Sequence, residues 1–194
     1  AYTVRVTNSN GCFATSSATT VTVSARPTVS LSAAPYTKLF PGLTTTLTGA
    51  VTPYGSYTYT WMNNGSILNG ATAATIPVTI NELGSYTLTA TNSGGCTNIS
   101  NAVVIGDSVT AKLFIMPNPN DGQFQVSYYS TANSSFTMNF VDATGAVVYS
   151  KFYSIGAPYQ HMDVDIRKHN AGIYTIVLVD KNGKRIVAGN VLIN

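Results

Sequence analysis

Apolar and polar residues alternate nearly one for one along most of this chain, the two-residue period of a strand with one buried face. Tyr57, Tyr59 and Trp61 fall on one side of such a run; Ala74, Ile76, Val78 and Ile80 form another, and Tyr86, Leu88 and Ala90 a third. Gly, Asn and Pro signals separate these short runs, and the pattern predicts a β-sandwich. Asn63-Asn64-Gly65 is the expected turn between two of its strands. Further along, the alternation predicts strands over Lys112–Met116, Phe124–Tyr128, Phe136–Val141, Ala146–Tyr153, Met162–Ile166, Ile173–Val179 and Arg185–Ile193. Asp142–Gly145 and Asp180–Gly183 mark turns between them. Tyr174, Ile176 and Leu178 share one face while Thr175, Val177 and Val179 share the other. Apolar character on both faces predicts a central strand, with Arg185–Val187 returning beside it through an Asn182-Gly183 turn. No helical spacing of useful length interrupts the pattern, so the fold class is all-β.

The alternation also repeats on a longer scale. Ala1–Cys12 reads AYTVRVTNSNGC and Ser85–Cys96 reads SYTLTATNSGGC, an offset of 84 residues (96 − 12). That period suits tandem sandwich domains and exceeds the 20–50 residues of solenoid repeats. It divides the chain into three parts: residues 1–25, 26–107 and 108–194. The first reads as the closing hairpin of a preceding repeat, the second as a complete sandwich, the third as a second sandwich of seven strands. A lone hairpin is marginal in water, so residues 1–25 are expected to pack on a neighbour or lack order. The Val103–Ile105 run ends at Gly106-Asp107-Ser108, which reads as an exposed boundary.

Composition narrows the setting. Only 9% of the 194 residues are charged against 44% apolar, where an ordinary soluble domain carries roughly 25% charged. Hydroxyl-rich, weakly charged β chains of this kind belong outside the cell. Ala1–Val6 alternates like a strand and has no signal-peptide run, so the chain is expected to be the tail of a longer precursor. A net charge of +3 with scattered basic residues leaves no nucleic-acid footprint. Candidate chemistry is sparse. His161, Asp163 and Asp165 share a strand face, but oxygen sites for calcium need 6–8 ligands; the face reads as solvated. His169 lies in a polar turn. No nucleophile elbow or phosphate loop is present. The expectation is no catalytic residue, no metal and no cofactor.

Met116-Pro117-Asn118-Pro119-Asn120-Asp121-Gly122, then Gly172-Ile173-Tyr174, then Lys184-Arg185 near the end form an ordered set. This set resembles the type A C-terminal sorting domain of the type IX secretion system, over roughly residues 108–194. The resemblance implies a seven-stranded sandwich that acts as an address. It further implies recognition by an outer-membrane translocon, transfer to a shuttle β-barrel, and cleavage by a surface sortase that joins the product to a lipopolysaccharide anchor. The implied localisation is secreted or cell-surface, by way of the periplasm and outer membrane. The residues carried over are Pro117, Asn118, Pro119, Gly122, Gly145, Gly172, Tyr174, Lys184 and Arg185, each of which also has a plain structural reading. Asp107-Ser108-Val109 is similar to an O-glycosylation acceptor of the same bacteria, at Ser108.

Residues 26–107 resemble bacterial immunoglobulin-like repeats, with a Trp on a middle strand and a Glu82-x-Gly84-x-Tyr86 corner whose tyrosine bonds back to the backbone. In those repeats a cysteine like Cys96 often pairs near the domain start, where this chain has Phe40; Cys96 therefore reads as a buried thiol and Cys12 as one without its partner. This domain is expected to be a spacer. The alternative is an adhesin or glycan- or protein-binding module using Tyr54, Tyr57, Tyr59 and Trp61, which requires those aromatics to face solvent.

Overall fold

The computed structural model describes all 194 residues. Its first strands, β1 (Arg5–Thr7) and β2 (Phe13–Thr15), form a hairpin in which every residue from 1 to 26 is exposed. The hairpin is therefore formed but covered by no core, contrary to the expectation of packing or disorder. Its turn is held by Asn8, whose Oδ1 accepts from the amides of Asn10 and Cys12 at 3.0 Å each, and the Arg5 guanidinium lies 3.6 Å from the Phe13 ring centroid. The chain leaves it tied down: Asn92 Nδ2 donates to Ala25 O at 2.9 Å and Arg26 Nε to Thr97 O at 2.8 Å.

The next strands are β3 (Thr28–Ala34), β4 (Lys38–Leu39), β5 (Thr44–Thr52), β6 (Tyr57–Asn63), β7 (Ser66–Ile67), β8 (Thr75–Thr79), β9 (Gly84–Asn92), β10 (Thr97–Ile99) and β11 (Val103–Asp107). One sheet runs β3-β5-β8; the facing sheet runs β4-β11-β9-β6-β7, with β10 also on β9. Leu39, Leu47, Trp61 and Leu88 are fully buried between them. Buried polar groups need partners, and Trp61 Nε1 donates to Ala73 O at 2.8 Å. Asn64 (φ 49) and Gly65 (φ 81) form the two-residue hairpin that positive φ at both positions predicts. Ile80 departs from its expected strand, because Thr79 caps a short 3₁₀ turn over Ile80–Glu82. The Tyr86 hydroxyl donates to Glu82 O; burial, with the Glu82 charge second, pushes its pKa up to about 12, so the hydroxyl remains a donor.

The second sandwich contains β12 (Phe114–Met116), β13 (Gln123–Ser127), β14 (Ser134–Val141), β15 (Val147–Ile155), β16 (Met162–Asp165), β17 (Gly172–Val179) and β18 (Arg185–Ile193). These seven follow the predicted segments to within two residues at each end. One sheet runs β12-β13-β16 and the other β15-β14-β17-β18. β17 is central, as its two apolar faces require: Tyr174, Ile176 and Leu178 point into a core with Val126, Met138 and Phe140. Val177 and Val179 stay half-buried on the outer face. The turn before β18 differs in detail from the expectation. Gly183 (φ 77) takes the left-handed conformation and Asn182 does not, so the hairpin is a longer turn and not a two-residue Asn-Gly one.

The boundary at Gly106–Ser108 is not a free linker. Gly106 N donates to Thr37 O at 3.0 Å and Ser108 N to Leu39 O at 2.7 Å, extending the parallel β4–β11 pair. The buried Tyr159 of the second sandwich donates its hydroxyl to Ser108 O at 2.5 Å. A row of rings crosses the junction: Phe40 stacks on Phe114 (5.5 Å), Phe114 meets Tyr159 edge-on (5.7 Å), and Tyr159 meets Tyr129 (5.5 Å). Phe40, which stands where a cysteine partner was sought, thus packs against the neighbouring domain. Both cysteines are free thiols; Cys96 is half-buried and not enclosed, and Cys12 is exposed.

Candidate functional site

The Pro-Asn-Pro-Asn segment follows β12 and crosses to the other sheet, where it meets the outer edge of β18. Asn118 uses its side-chain amide as a strand does its peptide group: Nδ2 donates to Asn190 O and Oδ1 accepts from Leu192 N, both at 3.0 Å. Asn120 continues the contact through its backbone, donating to Leu192 O at 3.1 Å and accepting from Asn194 N at 2.9 Å. Its side chain faces inward, donating to Pro117 O at 3.0 Å and accepting from Gly122 N at 2.8 Å. Asn120 is buried, with its backbone N–H, its C=O and both side-chain polar atoms bonded, although the motif resemblance does not single it out. An Asn two places before a Gly is the local signal that could have found it. Pro117 and Pro119 are exposed and have no backbone N–H to donate.

Gly122 is required by space. It sits at φ 97, and a Cβ there would lie 2.9 Å from the Arg167 backbone. Gly145 has a plainer role. Asp142 Oδ1 accepts from Thr144 N (2.8 Å) and Ala146 N (3.0 Å), and Gly145 at φ 88 closes the turn. The same arrangement occurs at Asn8–Gly11, Asn92–Gly95 and Asp180–Gly183. The Thr144 hydroxyl, and after it these amide bonds, hold the Asp142 carboxyl below its usual range.

Gly172 and Tyr174 also have twins. Tyr174 donates its hydroxyl to Asn170 O, four residues back, at 2.6 Å, as Tyr86 does to Glu82 O. Gly172 (φ 153) and Gly84 (φ 155) precede the two tyrosines in the same backbone conformation. The first sandwich thus repeats the Gly145 turn and the Gly172–Tyr174 corner. It also uses an asparagine amide as a strand mimic, Asn101 on both backbone groups of Leu31 at 2.9 and 3.0 Å. There the amide covers β3. Only in the second sandwich does the opening motif hold the closing strand.

Register places these residues at two ends. Ile193 lies opposite Gly172 and bridges Asn120, and Val141, which leads into the Gly145 turn, lies opposite Thr175. Lys184 and Arg185 open β18 at the other end, eight residues from Ile193 or about 26 Å. Both are exposed, and the only salt bridge in the structure is Arg167–Asp165. Ser108 is half-buried, and both of its backbone groups are engaged.

The strand face with the two aspartates is polar and internally paired. Asp163 accepts from Gln125 Nε2 at 3.0 Å, and Asp165 from Arg167 NH2 at 2.7 Å and Gln123 Nε2 at 3.3 Å. The Arg167 hydrogen bonds draw the Asp165 carboxyl down to about 2. His161 and His169 are half-buried at either end of this stretch. In the first sandwich Trp61 is wholly enclosed, Tyr57 and Tyr59 are half-buried against the core, and Tyr54 alone stands free. The proposed aromatic platform is therefore not assembled on the surface.

Residues 114–190 match the family model of the secretion system C-terminal sorting domain. This region belongs to that family. The sorting domain marks the chain as belonging to a secreted or cell-surface protein that engages the type IX machinery. Among solved structures, the human OSCAR ligand-binding domain is 16% identical, with a TM-score of 0.35 over 88% of this chain and 100% of that one. A biofilm-associated protein BSP domain is 17% identical, with a TM-score of 0.30 over 87% of this chain; the match spans 29% of that chain. No curated protein matches this sequence.

Proposed function

We propose that the sorting domain, residues 108–194, directs export across the outer membrane as a folded address, while residues 26–107 act as a spacer. In this reading the domain performs no catalysis. It is recognised at the translocon, passed to a shuttle β-barrel, and removed by a surface sortase that joins the remainder to lipopolysaccharide. The family match over residues 114–190 carries the reading. The bonding of Asn118 and Asn120 to β18 supports it, because it turns two distant segments into one surface that exists only in the folded domain. The test is export of a reporter carrying residues 1–194 behind a signal peptide, in a strain that possesses the secretion system. The expected result is reporter outside the cell, dependent on the translocon. A folded reporter retained in the periplasm sinks the proposal.

A further inference from the structure

The outer edge of β18 is only half covered. Asn190 O and both backbone groups of Leu192 are bonded to Asn118 and Asn120. Backbone groups on an edge strand alternate between partner and solvent, so the N–H and C=O of Ala188 face the same way as those of Leu192. No strand pairs with that side of Ala188, since β18 is joined only to β17. This open stretch borders a cleft of ≈ 450 Å³ whose walls include Phe40 and Leu43 of the first sandwich, Leu113 and Ile115 leading into and along β12, and Gly189. Leu113 and Ile115 approach within 3.3 Å of where a Gly189 Cβ would stand, so the cleft floor lies directly against the strand. Lys112 lines the same cleft, and Lys184 and Arg185 lie at the strand's start; none of the three forms a salt bridge.

From these features we infer that the open half of the β18 edge, with this cleft, receives an extended segment of a partner protein by strand addition. The segment carries alternating apolar side chains for the cleft and acidic groups at its flanks. Two observations select this occupant. The neighbouring half of the same edge already accepts strand-like donors and acceptors from Asn118 and Asn120, so the incoming strand continues an existing register. Main-chain bonds then supply affinity and the cleft reads alternate side chains. The unpaired lysines and arginine favour a negatively charged flank over a second copy of this basic edge. The inference rests on the export reading only for the partner's identity as part of the secretion machinery.

The test uses the purified 194-residue chain and a millimolar peptide, acetyl-Asp-Val-Thr-Val-Thr-Val-Asp-amide, followed by residue-resolved amide exchange. Binding should slow exchange at Ala188 and Asn190 at least tenfold and leave the β15 edge unchanged. Ala188→Pro removes the outward N–H while sparing the bonds to β17, a substitution edge strands tolerate; it should weaken binding at least tenfold. Should that variant unfold, the decision passes to the probe. A peptide N-methylated at all three Val and both Thr presents no N–H from that run on either edge and should give no protection, and one with Lys in place of Asp should bind at least tenfold more weakly. Absence of slowing at Ala188 overturns the assignment, as does equal protection by the N-methylated or Lys-flanked peptide. No secretion component is present in the assay, so its failure is separate from a failure of export.

Discussion

Asn118 and Asn120 make two hydrogen bonds each through their side chains, but in different surroundings, and the difference sets a measurable order. Asn118 is exposed. In Asn118→Ala, water replaces the amide at Asn190 O and Leu192 N, and the loss is that of two ordinary net bonds, about 1–2 kcal/mol. Asn120 is buried, as is Gly122. In Asn120→Ala the buried Gly122 N–H loses its partner where water enters poorly and bears the cost of a buried orphan, while the exposed Pro117 O loses an ordinary net bond, about 2–4 kcal/mol together. For a domain of this size about 1 kcal/mol moves Tm by about 4–8 °C. Calorimetry of the full chain should therefore show Asn120→Ala lowering the transition of the second sandwich about twice as far as Asn118→Ala. Amide exchange separates the mechanisms. Leu192 should exchange at least tenfold faster in Asn118→Ala, while Ile176 and Leu178 stay protected. Equal destabilisation by the two variants, or an unchanged Leu192 amide, would refute the assignment of Asn118 as a strand mimic.

Other consequences follow from the paired features. Gly145→Ala and Gly95→Ala have nothing within 4 Å of the new Cβ, so each should cost only the left-handed backbone term, about 1–2 kcal/mol by urea midpoint; a disproportionate export defect in Gly145→Ala would show that Gly145 is read directly. Tyr174→Phe and Tyr86→Phe each lose one hydroxyl donor and should cost about 1 kcal/mol in their own sandwich, checked by chemical denaturation. Asp165 titrates at about 2 in the folded chain, below its unfolded value of about 3.9. Its stabilising contribution is therefore complete above the unfolded value and lost as pH falls toward 2. Arg167→Gln should return the Asp165 titration toward the ordinary carboxylate range by NMR. Tyr159→Ala should expose Val109–Leu113 to limited proteolysis, where the unaltered chain resists; rapid cutting of both at the same rate would mean the Ser108 bond does not restrain the junction.

Strand positions were legible because each strand writes its two faces into its own sequence. The seven strands of the second sandwich and the central place of β17 followed from alternation alone, and the Asn64-Gly65 turn from its φ requirements. The Tyr86 corner followed from resemblance, and its twin at Tyr174 needed the two domains side by side. What failed to show in the sequence depends on partners far along the chain. Asn118 meets Leu192 across 74 residues, and a side-chain amide that imitates a peptide leaves no periodic mark. The tie between Tyr159 and Ser108 spans 51 residues, which is why Gly106–Ser108 read as an open boundary. Phe40 stands where the repeat pattern expects a cysteine, and it stacks across the junction on Phe114 instead. At the candidate site, motif order identified Pro117–Gly122. Burial picked out Asn120, and register showed that Lys184 and Arg185 stand at the opposite end.

The long reach of the Asn118 contact also bears on when the domain is finished. The β14–β15 and β17–β18 hairpins join residues a few positions apart and form on a microsecond scale. Closing a loop of 74 residues costs about 4 kcal/mol of chain entropy, by the logarithmic dependence on length, and fixing each joined residue costs about 1–2 kcal/mol more, against four hydrogen bonds worth about 1 kcal/mol each. The Asn118 and Asn120 bonds therefore cannot nucleate the fold. They close after the two sheets have met and the core has already brought β12 beside β18. Any reader that requires Asn118 on Leu192 thereby discriminates by folding stage as well as by sequence, and ignores chains whose sheets have not yet joined.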